Sequence, residues 1–442
     1  MKKFYIQTLG CKVNQYESDG IALSLEKQGW QKAKKKQAAD VFVINTCAVT
    51  SKAGMQSRQA IRKIIRENPN ATVIVTGCHA QTDPDQINKI EHMSKTGHIV
   101  CHKDKTLIAK HITDICENAS PLTFKKTDHN KANIFHGFDH AVKGEMTRAY
   151  LKIQDGCNAF CTYCIVPHAR GASVSMPEKE VFKHLNELDR SGFKEVILTG
   201  IHTGMYGLDL EKKSSLVQLL EKINDQRPVH RVRLSSIEPA ELNDGIINLA
   251  GQGNILCDHF HIPLQSGDDD ILKKMKRPYD VGFFKEIIHK IHETIPNAGI
   301  GIDTLIGFPS ETQKQFENTY NLLEALPISY LHVFPFSARK GTPAYHFDDK
   351  VDAGVIKKRC VAMRELDKIK RKAFIDANLN KRLEGLVQHK PDMKTGLLKA
   401  VTSNYLTVFL NKNHANQLKG KIINLVPEQC DKHMNIMGKI IE

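Results

Sequence analysis

Three cysteines fall in one short run. The segment IQDGCNAFCTYCIVPHARG spaces Cys157, Cys161 and Cys164 as C-x3-C-x2-C. Three thiolates this close can hold three irons of a [4Fe-4S] cluster, whereas a ferredoxin brings a fourth cysteine in or near the same run. The next cysteine is Cys257, far along the chain. An iron left without a thiolate can take a small chelating molecule. Two other readings share the spacing. Zinc wants four protein ligands, and His168, four residues past Cys164, could complete such a set. A redox C-x-x-C pair would leave the third cysteine unexplained.

A second set is dispersed but shares a context. Cys11, Cys47 and Cys78 each follow an apolar, strand-like run: FYIQTLG, VFVINT and VIVTG. In a parallel sheet all carboxyl ends lie along one edge, so these thiols can converge there as a shared metal site. The alternative is that each is a small hydrophobe packed at a strand end. Cys101 also closes a possible strand, while Cys116, Cys257, Cys360 and Cys430 read as lone packing or surface thiols. The 11 cysteines, odd in number and scattered, do not resemble a disulfide scaffold.

The elements that must position these residues follow from periodicity. Strands at 4–9, 41–46 and 72–77, with a possible fourth at 98–101, alternate with helical patterns at 14–28 and 52–67. This implies an α/β domain with a parallel sheet over residues 1–116. Residues 117–146 are polar and aperiodic and read as a linker. Strand patterns then recur at 150–156, 195–200, 230–235, 259–264, 299–307 and 330–336, separated by amphipathic stretches. Six βα repeats fit a partial (β/α)6 barrel over 147–374, with the cysteine run on the carboxyl-end loop of its first strand. A long helix over 350–376 carries Lys357, Lys358, Arg359, Arg364, Lys368, Lys370, Arg371 and Lys372, either as a solvated face or as an RNA-facing surface. Five short strands over 377–442 suggest a small, OB-like β-barrel of a kind that often binds nucleic acid. Trp30, the lone tryptophan, reads as a packing residue.

The 442 residues are 41% hydrophobic and 25% charged, which excludes a disordered chain. No run of about 18 apolar residues marks a spanning helix, so no membrane partner is expected. The start lacks the apolar core of a secretory signal, making the cytoplasm the default. A net charge of +14 favours a polyanion, RNA first.

The motifs TLGCKVNQYES, NTCAVT, TGCHAQ, DGCNAFCTYCIVPHARG and ILTGIHTG, in this order, resemble those of the radical SAM methylthiotransferases across essentially the whole chain. That resemblance implies two [4Fe-4S] clusters, each with an open iron. Cys157, Cys161 and Cys164 would hold the cluster that binds S-adenosylmethionine (SAM) and cleaves it to a 5′-deoxyadenosyl radical. Cys11, Cys47 and Cys78 would hold an auxiliary cluster carrying sulfur. It also implies a C-terminal TRAM domain that binds tRNA at the anticodon stem-loop, and a flavodoxin- or ferredoxin-type electron donor. GCKVNQYES and LTGIHTG look like the branch that modifies N6-threonylcarbamoyladenosine at tRNA position 37. The isopentenyladenosine branch carries Asn-Val where this chain has His202-Thr203. The branch acting on a ribosomal-protein aspartate usually has Pro-Lys after its first cysteine, where Lys12-Val13 stands here.

Weaker signals surround the cysteines. Tyr163 matches the position that lines the SAM adenine. Thr199 and Gly200 end the second barrel strand, at the family's SAM-amino contact. Ser235, Ser236 and Glu238 end the third and could hydrogen-bond the SAM ribose or methionine, or simply cap a polar strand end. Arg170 or His202 could read the threonylcarbamoyl carboxylate, with a structural salt bridge as the alternative for Arg170. HIPLQSG (261–267) and DTLIGFP (303–309) end strands without separable roles, and Tyr405 and Phe409 are possible stacking groups in the tail. No residue is assigned as a catalytic acid or base. The inferred target, the C2–H of a purine, is not acidic, so the chemistry belongs to the cofactor.

Overall fold

The structure, a computed structural model, describes residues 2–34, 39–118, 134–138, 146–253, 255–410 and 415–441. The expected linker at 117–146 lies mostly outside them. Packing divides the chain into two units. The first comprises Met1–Val142, Lys152–Met176 and Ser337–His346, and the second comprises Lys143–Leu151, Pro177–Phe336 and Phe347–Glu442. The cysteine run at 157–164 therefore packs with the N-terminal sheet.

In the first unit, strands β1 (Lys3–Thr8), β2 (Gln31–Lys32), β3 (Val41–Thr46), β4 (Thr72–Gly77) and β5 (Gly97–Ile99) form one parallel sheet in the order β2-β1-β3-β4-β5. β3 and β4 are buried along almost their whole length, which explains why their apolar residues run consecutively without alternating with polar ones. The helix Ser51–Glu67 starts where Thr50 accepts a hydrogen bond from the Ala53 amide. It lays Ile61, Ile64 and Ile65 onto Phe42, Ile44, Val73 and Val75. Sequence periodicity missed β2, which has two residues and no apolar alternation. The stretch after β4 is three short helices, Cys78–Thr82, Pro84–Asn88 and Met93–Thr96. Pro84 supplies the first break, since it cannot donate to a continuing helix. β6 (Ala149–Lys152) is followed by β7 (Gln154–Asp155), which pairs antiparallel with β8 (Val174–Ser175) and clasps the base of the cysteine loop.

The second unit holds the rest of the half-barrel. β9 (Glu195–Thr199) lies between β6 and β10 (Arg231–Leu234), while β11 (His259–Gln265), β12 (Gly299–Ile306) and β13 (Tyr330–Pro335) form a second three-stranded parallel sheet. Single bridges, Val232 with Leu256 and Ser236 with His261, connect the two sets. Six strands with intervening helices are those the periodicity implied. The helix Ala353–Asn378 follows. Then β14 (Leu383–Val387), β15 (Leu398–Thr402), β16 (Thr407–Leu410), β17 (Ile422–Cys430) and β18 (Ile436–Ile441) close a barrel in the order β14-β15-β16-β18-β17. Its core is Val387, Ala400, Val408, Leu410 and Leu425.

Much of the basic helix is neutralised within this unit. Arg359 is buried on Glu311 at 2.9 Å, and Arg371 bonds Asp367 at 2.9 Å. Lys368 and Lys372 pair with Glu365 and Asp376, and Lys370 donates to the carbonyls of Glu324 and Leu326. Lys357, Lys358 and Arg364 are exposed.

Candidate iron–sulfur and SAM site

Three adjacent parallel strands deliver Cys11, Cys47 and Cys78 to one sheet edge. Cys11 caps the helix Lys12–Lys27 after β1, Cys47 follows β3, and Cys78 opens the helix Cys78–Thr82 after β4. At Gly10 a Cβ would sit 2.8 Å from the Cys47 sulfur, so only glycine lets the first and second cysteine loops approach. Gly77 does the same for the third. Its φ of +98° is left-handed, and a Cβ there would lie 2.3 Å from the Thr46 carbonyl oxygen. Side chains lock the strand ends. Asn14 donates to the carbonyls of Leu9 (2.7 Å) and Thr46 (3.0 Å), and Thr46 Oγ1 donates to the Thr76 carbonyl at 2.6 Å. Ser57 Oγ lies 3.3 Å from the Cys47 amide, which donates to it. Burial, reinforced by the neighbouring Cys78 sulfur, pushes the Cys47 thiol up to about 11. Without a metal it stays protonated, so metal loading would release a proton.

The second triplet sits in the same unit. The Cys164 amide donates to the Cys161 carbonyl at 3.0 Å, closing a tight turn that contains half-buried Tyr163. The Ala344 amide donates to the Thr162 carbonyl at 2.8 Å, so residues 337–346 brace this loop. His168 is exposed, its ring edge toward Phe160. Directly after the loop comes the helix Val166–Arg170. Ile165 and Ala169 pack against Cys78 and Ala48 in a small buried cluster, so the segment that follows Cys164 shares one apolar seam with Cys78 and the residue after Cys47.

Arg170 lies beyond that seam and does not face solvent. Its side chain is 0% exposed, and it donates to Asp155 at 2.8 Å, to Glu17 at 3.0 Å and to Asn14 at 2.8 Å. Lys105 pairs with Glu17, Lys152 with Asp155 (2.7 Å), and His102 lies 3.3 Å from Asp155. Although burial opposes ionisation, Arg170 and the lysines hold the Glu17 carboxyl far below the usual range. Of the two readings of Arg170, the structure shows the internal salt bridge. Sequence reading singled out Arg170. Glu17, Lys105, Lys152 and His102 were missed, although Glu17 stands within GCKVNQYES.

In the second unit, Thr199 is buried at the end of β9 and its hydroxyl has no hydrogen-bond partner among the described residues. Gly200 follows it. Ser235 Oγ lies 3.2 Å from Thr203 Oγ1. Glu238 is ion-paired with Arg277, and His202 lies 2.5 Å from Glu241. One further group escaped separate assignment. His261 and His332 contact the same Asp303 oxygen at 2.8 and 3.1 Å, and Ser236 meets the other nitrogen of His261 at 2.6 Å. Burial alone would raise Asp303, but these hydrogen bonds hold it down at about 2.

The donor sets fit the groups that the sequence implies. Three cysteines on one sheet edge suit three corners of a cluster, and Arg170 Nε is a buried donor without an acceptor among the described residues, as a nearby sulfur would require. The uncommitted Thr199 hydroxyl is likewise suited to a polar cofactor group.

Comparison with known proteins agrees. Residues 3–97 match a family described as "Uncharacterized protein family UPF0004", and residues 151–323 match the radical SAM superfamily. The chain is 37% identical over 419 residues to the threonylcarbamoyladenosine tRNA methylthiotransferase MtaB of Bacillus subtilis, covering 94% of this chain and 91% of that protein. It is 33% identical to the Aquifex aeolicus protein of the same name, covering 96% and 100%. It is also 31% identical to a tRNA-2-methylthio-N(6)-dimethylallyladenosine synthase of Clostridium botulinum (strain Okra), covering 100% and 94%. Among solved structures, the radical SAM methyltransferase TsrM of Kitasatospora setae aligns with a TM-score of 0.55 at 14% identity, covering 78% of this chain and 77% of that one, a likeness of fold. The chain is a radical SAM enzyme, and membership implies a [4Fe-4S] cluster and SAM. More narrowly, it belongs to the radical SAM methylthiotransferase family. Among the described residues no helix is long and apolar enough to cross a membrane.

Proposed function

We propose that this chain transfers a methylthio group to carbon 2 of N6-threonylcarbamoyladenosine at position 37 of tRNA. Two SAM molecules serve as methyl donor and radical source, and an auxiliary cluster holds the sulfur. The observation that supports this reading is that Ile165, which follows Cys164, packs with Ala169, Ala48 and Cys78 in one buried cluster, so segments that carry the two triplets meet within one packed unit.

In this reading Cys157, Cys161 and Cys164 hold the radical-generating cluster, and Cys11, Cys47 and Cys78 hold the sulfur-bearing one. When bound, the clusters and SAM supply the carbon radical and the sulfur that a non-acidic C–H bond demands. The protein positions and desolvates. Tyr163 offers its ring to the SAM adenine, while Thr199, Gly200 and Ser235 offer polar contacts to the rest of SAM. Glu238 is restrained by Arg277, which fixes its direction. His202, held by Glu241, is the candidate contact for the threonylcarbamoyl group. A loop base must leave its stack to reach such a site, at a cost of about a few kcal/mol. The C-terminal barrel holds the RNA backbone meanwhile. Similarity to two MtaB proteins at 33–37% identity favours the threonylcarbamoyl branch.

Nucleoside mass spectrometry of tRNA from a strain lacking the gene tests this. The methylthio mass should vanish from threonylcarbamoyladenosine while the isopentenyl form keeps it. Loss from the isopentenyl form instead, or from a ribosomal-protein aspartate, would overturn the assignment.

A further inference from the structure

The ion cluster around Arg170 has a composition that its own internal pairing does not explain. Arg170, Lys105 and Lys152 face only two carboxylates, Glu17 and Asp155, and all five side chains are less than a tenth exposed. Burial and the nearby Arg170 charge pull His102 down to about 4, so it adds no charge at neutral pH. The cluster thus carries a formal surplus of one positive charge in a medium where charges are weakly screened. A buried surplus charge is costly unless something negative lies beside it. The sulfurs at the sheet edge are the candidates. Arg170 and Lys105 are both hydrogen-bonded to the segments that carry Cys11 and Cys47. Arg170 bonds Asn14, three residues past Cys11, and Lys105 bonds Asn45, two before Cys47, at 3.1 Å. Arg170 Nε remains a buried donor with no acceptor among the described residues.

We propose that this cluster is a built-in counter-charge for the iron–sulfur group held by Cys11, Cys47 and Cys78, with Arg170 as the positioning residue that raises that group's reduction potential. The inference rests on the cysteine assignment made above. A fixed positive charge favours the more negative, reduced form, so removing it shifts the poise toward oxidised. Arg170 reaches the site from the helix that ends the radical SAM cysteine loop. The segment carrying one triplet therefore sets the electronic environment of the other.

The test is an EPR-monitored redox titration of the full-length chain carrying Cys157→Ala, Cys161→Ala and Cys164→Ala, reconstituted anaerobically so that only the auxiliary group is present. Adding Arg170→Met should change the oxidised-to-reduced ratio at a given potential by about tenfold, a fall of about 59 mV for one electron. Arg170→Lys, which keeps the charge, should stay near the parent. Glu17→Gln added to Arg170→Met restores the surplus charge and should recover most of the shift. A potential unchanged in Arg170→Met overturns the proposal. So does a loss of iron in Arg170→Met that Glu17→Gln does not repair, because that marks a steric role. If the parent with Arg170 intact binds no iron at all, the cysteine assignment itself has failed, which is a different result.

Discussion

Replacing Glu195 by Gln would remove one charge and leave the shape of the side chain intact. Glu195 is fully buried on β9 and accepts from Arg231 at 2.8 Å and from Arg233 at 2.9 Å. Arg148 lies 3.6 Å away. These arginines also hold the C-terminal barrel, since Arg231 donates to the Val401 carbonyl at 2.9 Å and Arg233 to the Thr402 and Ser403 carbonyls at 3.0 and 2.7 Å. Burial would raise the Glu195 carboxyl, but Arg233 and Arg231 hold it well below its ordinary value, so it is ionised at neutral pH. The amide cannot neutralise two guanidinium groups, both at least 96% covered. Breaking a buried pair by removing one partner costs about 3–5 kcal/mol. With a urea slope of about 3 kcal/mol/M, the midpoint should fall by about 1–1.7 M. Far-UV circular dichroism would follow the transition. Fluorescence of Trp30, the single tryptophan, reports the N-terminal unit separately. A midpoint unchanged in Glu195→Gln would refute the argument that this carboxylate neutralises the arginines.

Other outcomes follow from the same structure. Cys47→Ala should reduce reconstituted iron from about eight to about four per chain, keep SAM cleavage and stop methylthiolation, whereas Cys157→Ala should abolish deoxyadenosine formation. Loss of both activities in Cys47→Ala would mean misfolding. Gly77→Ala forces a side chain into left-handed backbone against the Thr46 carbonyl and should cost more than about 2 kcal/mol, seen as an earlier melt on the Trp30 signal. His102 is held at about 4 against an ordinary 6.5, so the unfolded chain takes up its proton first. Stability should therefore be full above pH 6.5 and fall by about 3 kcal/mol as pH drops toward 4, and His102→Asn should flatten that slope in urea titrations at successive pH values.

The convergence of Cys11, Cys47 and Cys78 on one sheet edge was legible in the sequence for local reasons. A cysteine closing an apolar, strand-like run is a strand-end residue, and three such runs in a parallel sheet share an edge. The six strands of the half-barrel were legible because buried parallel strands are apolar along their whole length. What escaped depends on contacts between distant segments. Arg170 and Glu17 are 153 positions apart, and nothing local distinguishes an arginine aimed at a substrate from one aimed at a buried carboxylate. The brace formed by residues 337–346 has no period of its own. The basic helix was open to two readings, a solvated face or an RNA-facing surface. Lys368, Arg371 and Lys372 each have an acidic residue three or four positions away, a spacing that already foretold their neutralisation.

The C-terminal barrel is sealed by its last strand in chain order. β18 inserts between β16 and β17, running parallel to the first and antiparallel to the second. Until a nascent chain has released β18 from the ribosome, β16 and β17 present open hydrogen-bonding margins that invite mispairing with other chains. The barrel should accordingly close only after β18 has emerged. Early termination before Ile436 should yield an aggregation-prone polypeptide rather than a shortened enzyme that merely binds its substrate less well.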